Sequence, residues 1–222
     1  HLLEDGKDAM GATSANTLVE AVATSLINCA IPGFDELDLS INLKIVSNHA
    51  TFRVAKCSAT FNKHSFGGNE IAEKILSAYN FAQADPYRAV THNKGIMNGI
   101  IALTNATGND SRAVEAAAHA YACYSNDGNY GPLSRYEIDI EGNLIGHLEV
   151  PVPLGIVGGM TKTHPAVKIA LKILRVESAS ELSQVAAALG LAQNFAALRA
   201  LAQEGIQEGH MKLHRRKANH PK

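Results

Sequence analysis

The stretch Tyr87-Arg88-Ala89-Val90-Thr91-His92-Asn93-Lys94-Gly95-Ile96-Met97-Asn98-Gly99 gathers Arg, Thr, His, Asn and Lys between small residues and runs directly into Ile100-Ile101-Ala102-Leu103. A solvated loop has no use for that apolar continuation, so the segment reads as polar groups delivered into an enclosed site. It is answered by Thr107-Gly108-Asn109-Asp110, which leads into an alanine-rich helix expected over residues 113–122. Ahead of it, Ile71, Ile75, Leu76 and Phe81 recur at helical spacing through residues 70–84. Asp85-Pro86 stops that helix, because the residue before a proline is pushed out of the helical region.

Toward the N-terminus, Asp8-Ala9-Met10-Gly11-Ala12-Thr13-Ser14-Ala15-Asn16-Thr17 is small and polar, and Leu18, Val19, Val22, Ala23, Leu26 and Ile27 follow at helical spacing. A first turn of small side chains leaves the unpaired N–H groups and positive end of the helix dipole within reach of a phosphate. Close helix packing explains the same residues and is the commoner reason for them. Ile31-Pro32-Gly33 ends the helix, and residues 39–46 alternate as a half-buried strand does. Helix then strand suggests part of a small α/β unit, with a domain change near residue 50. Ser47-Asn48-His49 follows that strand; residues 53–61 read as another strand and residues 62–69, with Gly67-Gly68, as a turn.

Toward the C-terminus, residues 135–140 and 144–150 alternate as the two strands of a hairpin around Glu141-Gly142-Asn143. Residues 152–161 are glycine-rich but lack both the Gly-Lys-Ser/Thr ending of a P-loop and the G-x-G-x-x-G spacing, which excludes a nucleotide loop of either kind. Three helices are expected over residues 165–174, 180–191 and 192–202, with Ser178-Ala179-Ser180-Glu181 as an N-cap region. Gly209-His210-Met211 then presents a histidine just past a glycine.

The 222 residues are 46% apolar, and 20 basic residues against 21 acidic ones leave no whole-molecule attraction to nucleic acid or an anionic membrane. A small molecule or another protein chain is the expected partner. Cys29, Cys57 and Cys123 are odd in number and isolated, which argues against a disulfide scaffold or a zinc site and fits a reducing cytoplasm. No run approaches the roughly 18 apolar residues that span a bilayer, and no metal site is expected. The chain starts without Met and closes on a basic tail, so both ends read as cut.

Six motifs, Asp8-Ala9-Met10-Gly11-Ala12, Asp85-Pro86-Tyr87-Arg88-Ala89, residues 91–99, Gly108-Asn109-Asp110, Gly155-Ile156-Val157-Gly158-Gly159 and Gly209-His210-Met211, occur in an order that resembles the 3-hydroxy-3-methylglutaryl-coenzyme A (HMG-CoA) reductases, in particular the soluble class II type of bacteria and archaea. The resemblance implies interconversion of HMG-CoA with mevalonate and coenzyme A using two hydrides from NAD or NADP, in a homodimer or higher homo-oligomer. It implies an α+β fold: residues 51–222 as a helix-rich large catalytic domain with few antiparallel strands, ending before a C-terminal flap, and residues 1–50 as the remnant of a small α/β, ferredoxin-like dinucleotide-binding domain.

By the same resemblance Lys94, Asp110 and His210 are catalytic. Lys94 would stabilise the oxygen that turns negative at each hydride step, Asp110 would sit beside it, and His210 would protonate the departing thiolate. Arg88, Asn98 and Asn48 would bind substrate, and Asp8, Ala9, Met10, Gly11 and Asn16 the dinucleotide; Thr13 stands where many members have Asn. Taken singly, Lys94 reads as a surface lysine, Asp110 as a helix cap and His210 as a histidine near a helix end; the ordered set reverses those readings. The family's catalytic glutamate lies in an upstream Glu-Asn-x-x-Gly motif that these 222 residues do not contain. The expectation is therefore that the chain alone is inactive or nearly so. The alternative is a fragment that keeps thioester binding or a structural role without catalysis. A coenzyme A acyltransferase would need a nucleophile set against a base, and none of the three cysteines lies in such a setting.

Overall fold

The computed structural model describes residues 1–28 and 40–203. In chain order these form α1 (Ala12–Asn28), β1 (Val54–Phe61), a 3₁₀ turn (Lys63–Ser65), α2 (Asn69–Ala84), α3 (Pro86–Ala106), α4 (Ser111–Tyr124), β2 (Ser134–Ile138), β3 (Leu144–Pro151), α5 (Gly159–Thr163), α6 (Pro165–Leu174) and α7 (Ala179–Gln203). The fold is α+β, as the motifs implied.

Asp85 and Pro86 make the corner between α2 and α3. Asp85 is extended (φ −130°, ψ 114°) and its carboxylate accepts the Tyr87 N–H at 2.8 Å, while Pro86 supplies a fixed φ at the first helical position, where a missing N–H costs nothing. The quoted stretch, whose conformation the motif leaves open, is the first two thirds of this 21-residue helix.

The expected hairpin forms. β3 pairs antiparallel with β2 (Ser134 opposite Leu148) and with β1 (Val54 opposite Pro151), giving the order β1-β3-β2. Between β2 and β3, Asp139 accepts the N–H groups of Glu141 and Asn143, and Gly142 takes φ +83°, which a side chain resists. Leu144, Gly146, Leu148 and Val150 face inward, while the other face carries the Lys56–Glu149 ion pair at 2.8 Å. Against the sheet and α3 packs α7, which also touches α2, and their shared core includes Ile96, Met97, Ile100, Leu148 and Leu182. Phe195 of α7 stacks on Phe61 at 3.8 Å.

Three expectations need correction. The helices expected over residues 180–191 and 192–202 are one, α7, because Gly190 in its middle lies against α3: a Cβ there would come 2.9 Å from Ile100 Cδ1. The glycine permits close packing instead of ending the helix. Its start is capped as expected, Ser178 Oγ accepting the Glu181 N–H and Glu181 reaching back to the Glu177 N–H. Second, α7 is long and apolar enough to cross a bilayer, contrary to the reading of the sequence; its buried side, from Leu182 to Leu198, is part of the core.

Third, the strand expected over residues 39–46 is absent from residue 40 onward. Leu43 and Ile45 are 78% and 63% exposed, and no neighbouring strand pairs with the alternation. This segment is tied to α1 by the Val46 N–H, which donates to Asn16 Oδ1 at 2.7 Å. Residues 1–28 and 40–50 thus hold one helix and no strand.

Candidate functional site

A helix turns 100° per residue, and on α3 that rotation sorts the motif into two faces. His92, Asn93, Ile96, Met97, Gly99 and Ile100 are buried. Tyr87, Thr91, Lys94 and Asn98 are exposed in a row along the other side, with Arg88 half-buried at its border. The expectation that the whole stretch is enclosed therefore holds for His92 and Asn93 and fails for Lys94 and Asn98. Lys94 enters none of the ion pairs among the described residues. Partial burial lowers the pKa of Arg88 from its ordinary value, yet a guanidinium remains charged at any working pH.

The buried pair anchors the helix. Asn93 Nδ2 donates to the Gly131 carbonyl (2.9 Å) and to Tyr130 Oη (3.1 Å), while its Oδ1 accepts the Leu133 N–H (2.9 Å). His92 Nε2 meets Ser134 Oγ at 2.6 Å; Ser134 and Tyr136 both donate to Asn194 Oδ1. Because Ser134 gives its one hydrogen to Asn194, His92 must donate from Nε2, and its buried Nδ1 has no partner. Burial first, and the Arg88 charge second, push the His92 pKa down to about 4, so the ring is neutral. Reading the sequence gave His92 and Asn93 no separate role and missed Ser134 and Asn194; the one available signal was a lone Asn inside the apolar run of α7.

Asp110 caps α4, accepting the N–H groups of Arg112 (3.0 Å) and Ala113 (3.4 Å), and its ion partner is Arg112 at 3.0 Å. The Arg112 side chain holds its pKa below the ordinary carboxylate value. The Asn109 N–H bonds the Thr104 carbonyl, which places Asp110 at the C-terminal end of α3, about 15 Å of axial rise from Lys94. The expected Lys94–Asp110 pair is not made within one copy of these residues, because the helix itself separates them.

Three motifs that are far apart in sequence do converge. Asn109 pairs with the backbone of Gly155, donating to its carbonyl (3.0 Å) and accepting its N–H (2.8 Å). On the other side of Gly155 lie Ala9 and Met10, and the Ile156 N–H donates to the Asp8 carbonyl at 2.8 Å. The Asp8 carboxylate accepts the Ala179 N–H at the start of α7, and Arg53 donates to the carbonyls of Ala9 and Leu154. Asp8, Ala9 and Met10 thus strap α1 to the body of the fold, with Asp8 and Asn16 holding other parts of the chain through their side chains. Asn48 is exposed in the turns before β1. His210 lies outside the described residues.

The start of α1 suits an anion. Gly11 (φ +100°) precedes it, its first turn holds no acidic residue, and Thr13 and Ser14 are exposed there. Open grooves of about 480 Å³, beside Arg53 and Ser183, and about 560 Å³, on the outer face of the sheet, are not lined by Arg88, Lys94, Asn98 or Asp110. The α3 row is a bare face that another surface must cover to make a closed site.

The family profile described as hydroxymethylglutaryl-coenzyme A reductase matches residues 1–215. The chain is 56% identical over 216 residues to the 3-hydroxy-3-methylglutaryl-coenzyme A reductase of Archaeoglobus fulgidus, covering 97% of this chain and 47% of that protein. It is 41% identical over 223 residues to the probable reductase of Borreliella burgdorferi, covering 97% and 49%. Among solved structures, the reductase from Streptococcus pneumoniae superposes with a TM-score of 0.80 at 45% identity, over 95% of this chain and 49% of that one. The class II reductase of the same organism, bound to NADPH in open conformations, superposes at 0.77 and 47% identity, over 94% and 50%. The chain spans about half the length of the curated relatives it matches.

Proposed function

The chain belongs to the hydroxymethylglutaryl-coenzyme A reductase family, and from that premise we propose that it carries the lysine-bearing part of a class II reductase that interconverts HMG-CoA with mevalonate and coenzyme A in the cytoplasm. The observation that carries this reading is the row Arg88, Lys94 and Asn98 on the exposed face of α3, fixed from beneath by His92 and Asn93.

Each group has a task its chemistry suits. The Arg88 guanidinium grips the free carboxylate of the acyl portion with two parallel hydrogen bonds. Asn98, one helical turn beyond Lys94, offers both a donor and an acceptor to the polar groups beside the thioester. The Lys94 ammonium stabilises negative charge as it grows on the carbonyl oxygen and can give that oxygen a proton. The task left to His210 is to protonate the coenzyme A thiolate so that it leaves as a thiol. Backbone N–H groups of the first turn of α1, after Gly11, would hold the phosphates of the nicotinamide dinucleotide, which supplies the hydride when bound. A relative solved with NADPH supports a nicotinamide cofactor. Lys94, near the middle of α3, and Asp110, just past its C-terminal end, lie about 15 Å apart along the helix, which supports a site completed across two copies of the protein, with Asp110 of one approaching Lys94 of the other.

Two features support low activity for these residues alone: the α3 row is uncovered, and no Glu-Asn-x-x-Gly motif is present. The test is to mix the chain with the separately expressed N-terminal half of the Archaeoglobus fulgidus relative and follow HMG-CoA-dependent oxidation of NADPH or NADH. Turnover is expected in the mixture, near background for the chain alone, and down by about 10²–10³-fold in Lys94→Met, the cost of removing one oxyanion donor. Unchanged turnover in Lys94→Met would refute the assignment.

A further inference from the structure

Resting on that reading, we propose that His92 and Asn93 are positioning residues for Lys94, acting as a rotational lock on α3. Two consecutive side chains grip one continuous stretch of a different element: Asn93 makes three hydrogen bonds to residues 130–133, and His92 holds Ser134. That stretch is held in turn from other sides, Ser134 and Tyr136 by Asn194 of α7 and Tyr130 by His119 of α4 at 2.6 Å. Close packing against α7 already limits the roll of α3. Directional hydrogen bonds on adjacent residues constrain the angle more strictly, because they weaken steeply once misaligned.

The direction they fix belongs to Lys94, the next residue in the chain. At a side-chain radius of about 5–6 Å, a roll of 30° would carry a group on the opposite face by about 3 Å. Misplacement by ~1 Å can cost a reaction ~10²-fold, so the lock governs the chemistry without touching substrate. A second feature points the same way. The Nδ1 of His92 is buried without a partner, a defect that a leucine at this position would avoid. What the imidazole contributes is therefore a rigid direction toward Ser134 more than net stability.

Four variants decide the matter: His92→Leu, which loses the donor to Ser134; His92→Gln, whose amide nitrogen replaces Nε2; Asn93→Ala; and Leu182→Ala, a core truncation in α7 more than three turns from Asn194. Spin labels carried by unnatural amino acids at positions 94 and 60 report the roll of α3 by double electron–electron resonance in this chain alone. The 94–60 distance is expected to shift or broaden by about 2–3 Å in His92→Leu and Asn93→Ala, and to stay unchanged in His92→Gln and Leu182→Ala. In the two-part enzyme, kcat is expected to fall at least tenfold in the first pair and stay within threefold in the second, although Leu182→Ala lowers the urea midpoint as well. An unshifted distance in His92→Leu and Asn93→Ala overturns the lock, and so does a kcat that merely follows the urea midpoint across all four. If the two-part enzyme shows no turnover at all, the proposed function falls, and the label distances decide the lock by themselves.

Discussion

Replacing Gly155 by alanine should be among the most damaging single-carbon changes in this protein. A Cβ there would overlap Met10 N and lie 2.8 Å from Ala9 C and 3.1 Å from Ala9 Cα, all backbone atoms that cannot rotate away. Since a carbon needs about 3.5 Å, the residue 8–10 strap must retreat by ~1 Å. That stretches the 2.8 Å bond from the Ile156 N–H to the Asp8 carbonyl past its useful range and strains the paired bonds between Gly155 and Asn109. Overpacking of about 1–3 kcal/mol and one or two hydrogen bonds at ~1 kcal/mol each give a loss of about 2–5 kcal/mol. The comparison is Gly158→Ala, where φ +83° and ψ 175° lie in a region essentially reserved for glycine but nothing lies within 4 Å of the new carbon, so conformational strain alone should cost about 1–3 kcal/mol. Urea unfolding of the chain followed by far-ultraviolet circular dichroism measures both, the chain having no tryptophan to report by fluorescence. A loss of 1 kcal/mol or less for Gly155→Ala would show that the strap does not bear on the body of the fold as described.

Gly95→Ala should act in the opposite direction: a Cβ there meets nothing within 4 Å in the middle of α3, so the unfolding free energy should rise by about 0.5–1 kcal/mol, measured by the same urea titration. His92 should make stability depend on pH between its unfolded value near 6.5 and its folded value of about 4. The unfolded chain binds the proton more readily in that window, so stability is full above about pH 6.5 and declines as pH falls toward 4, with a slope approaching about 1.4 kcal/mol per pH unit from this group. Urea midpoints measured from pH 7.5 to 4.5 should show the His92→Gln variant with a shallower decline than the parent, and parallel curves would contradict the neutral buried ring.

Where local chemistry decided the structure, the sequence could be read directly. Asp85-Pro86 ends one helix and begins the next through two properties that need no distant partner, a capping carboxylate and a fixed φ. Glu141-Gly142-Asn143 gave the hairpin for the same reason. Residues 40–46 misled because their alternation needs a neighbouring strand to act upon, and the break expected after residue 191 failed because α7 runs on past Gly190, packed closely against Ile96 and Ile100 of another helix.

The candidate site divides along the same line. Six ordered motifs were enough to assign the family and to nominate Arg88, Lys94, Asn98 and Asp110, since residue types and their order are properties of the chain itself. Which of them meet could come only from the tertiary structure. Helical rotation buried His92 and Asn93 and left Lys94 and Asn98 on the surface; helical rise put Lys94 and Asp110 about 15 Å apart along α3. Asp8, Asn109 and Gly155, scattered over almost 150 positions, came together around one glycine, because the absence of a side chain there lets the backbone of residues 9–10 approach closely.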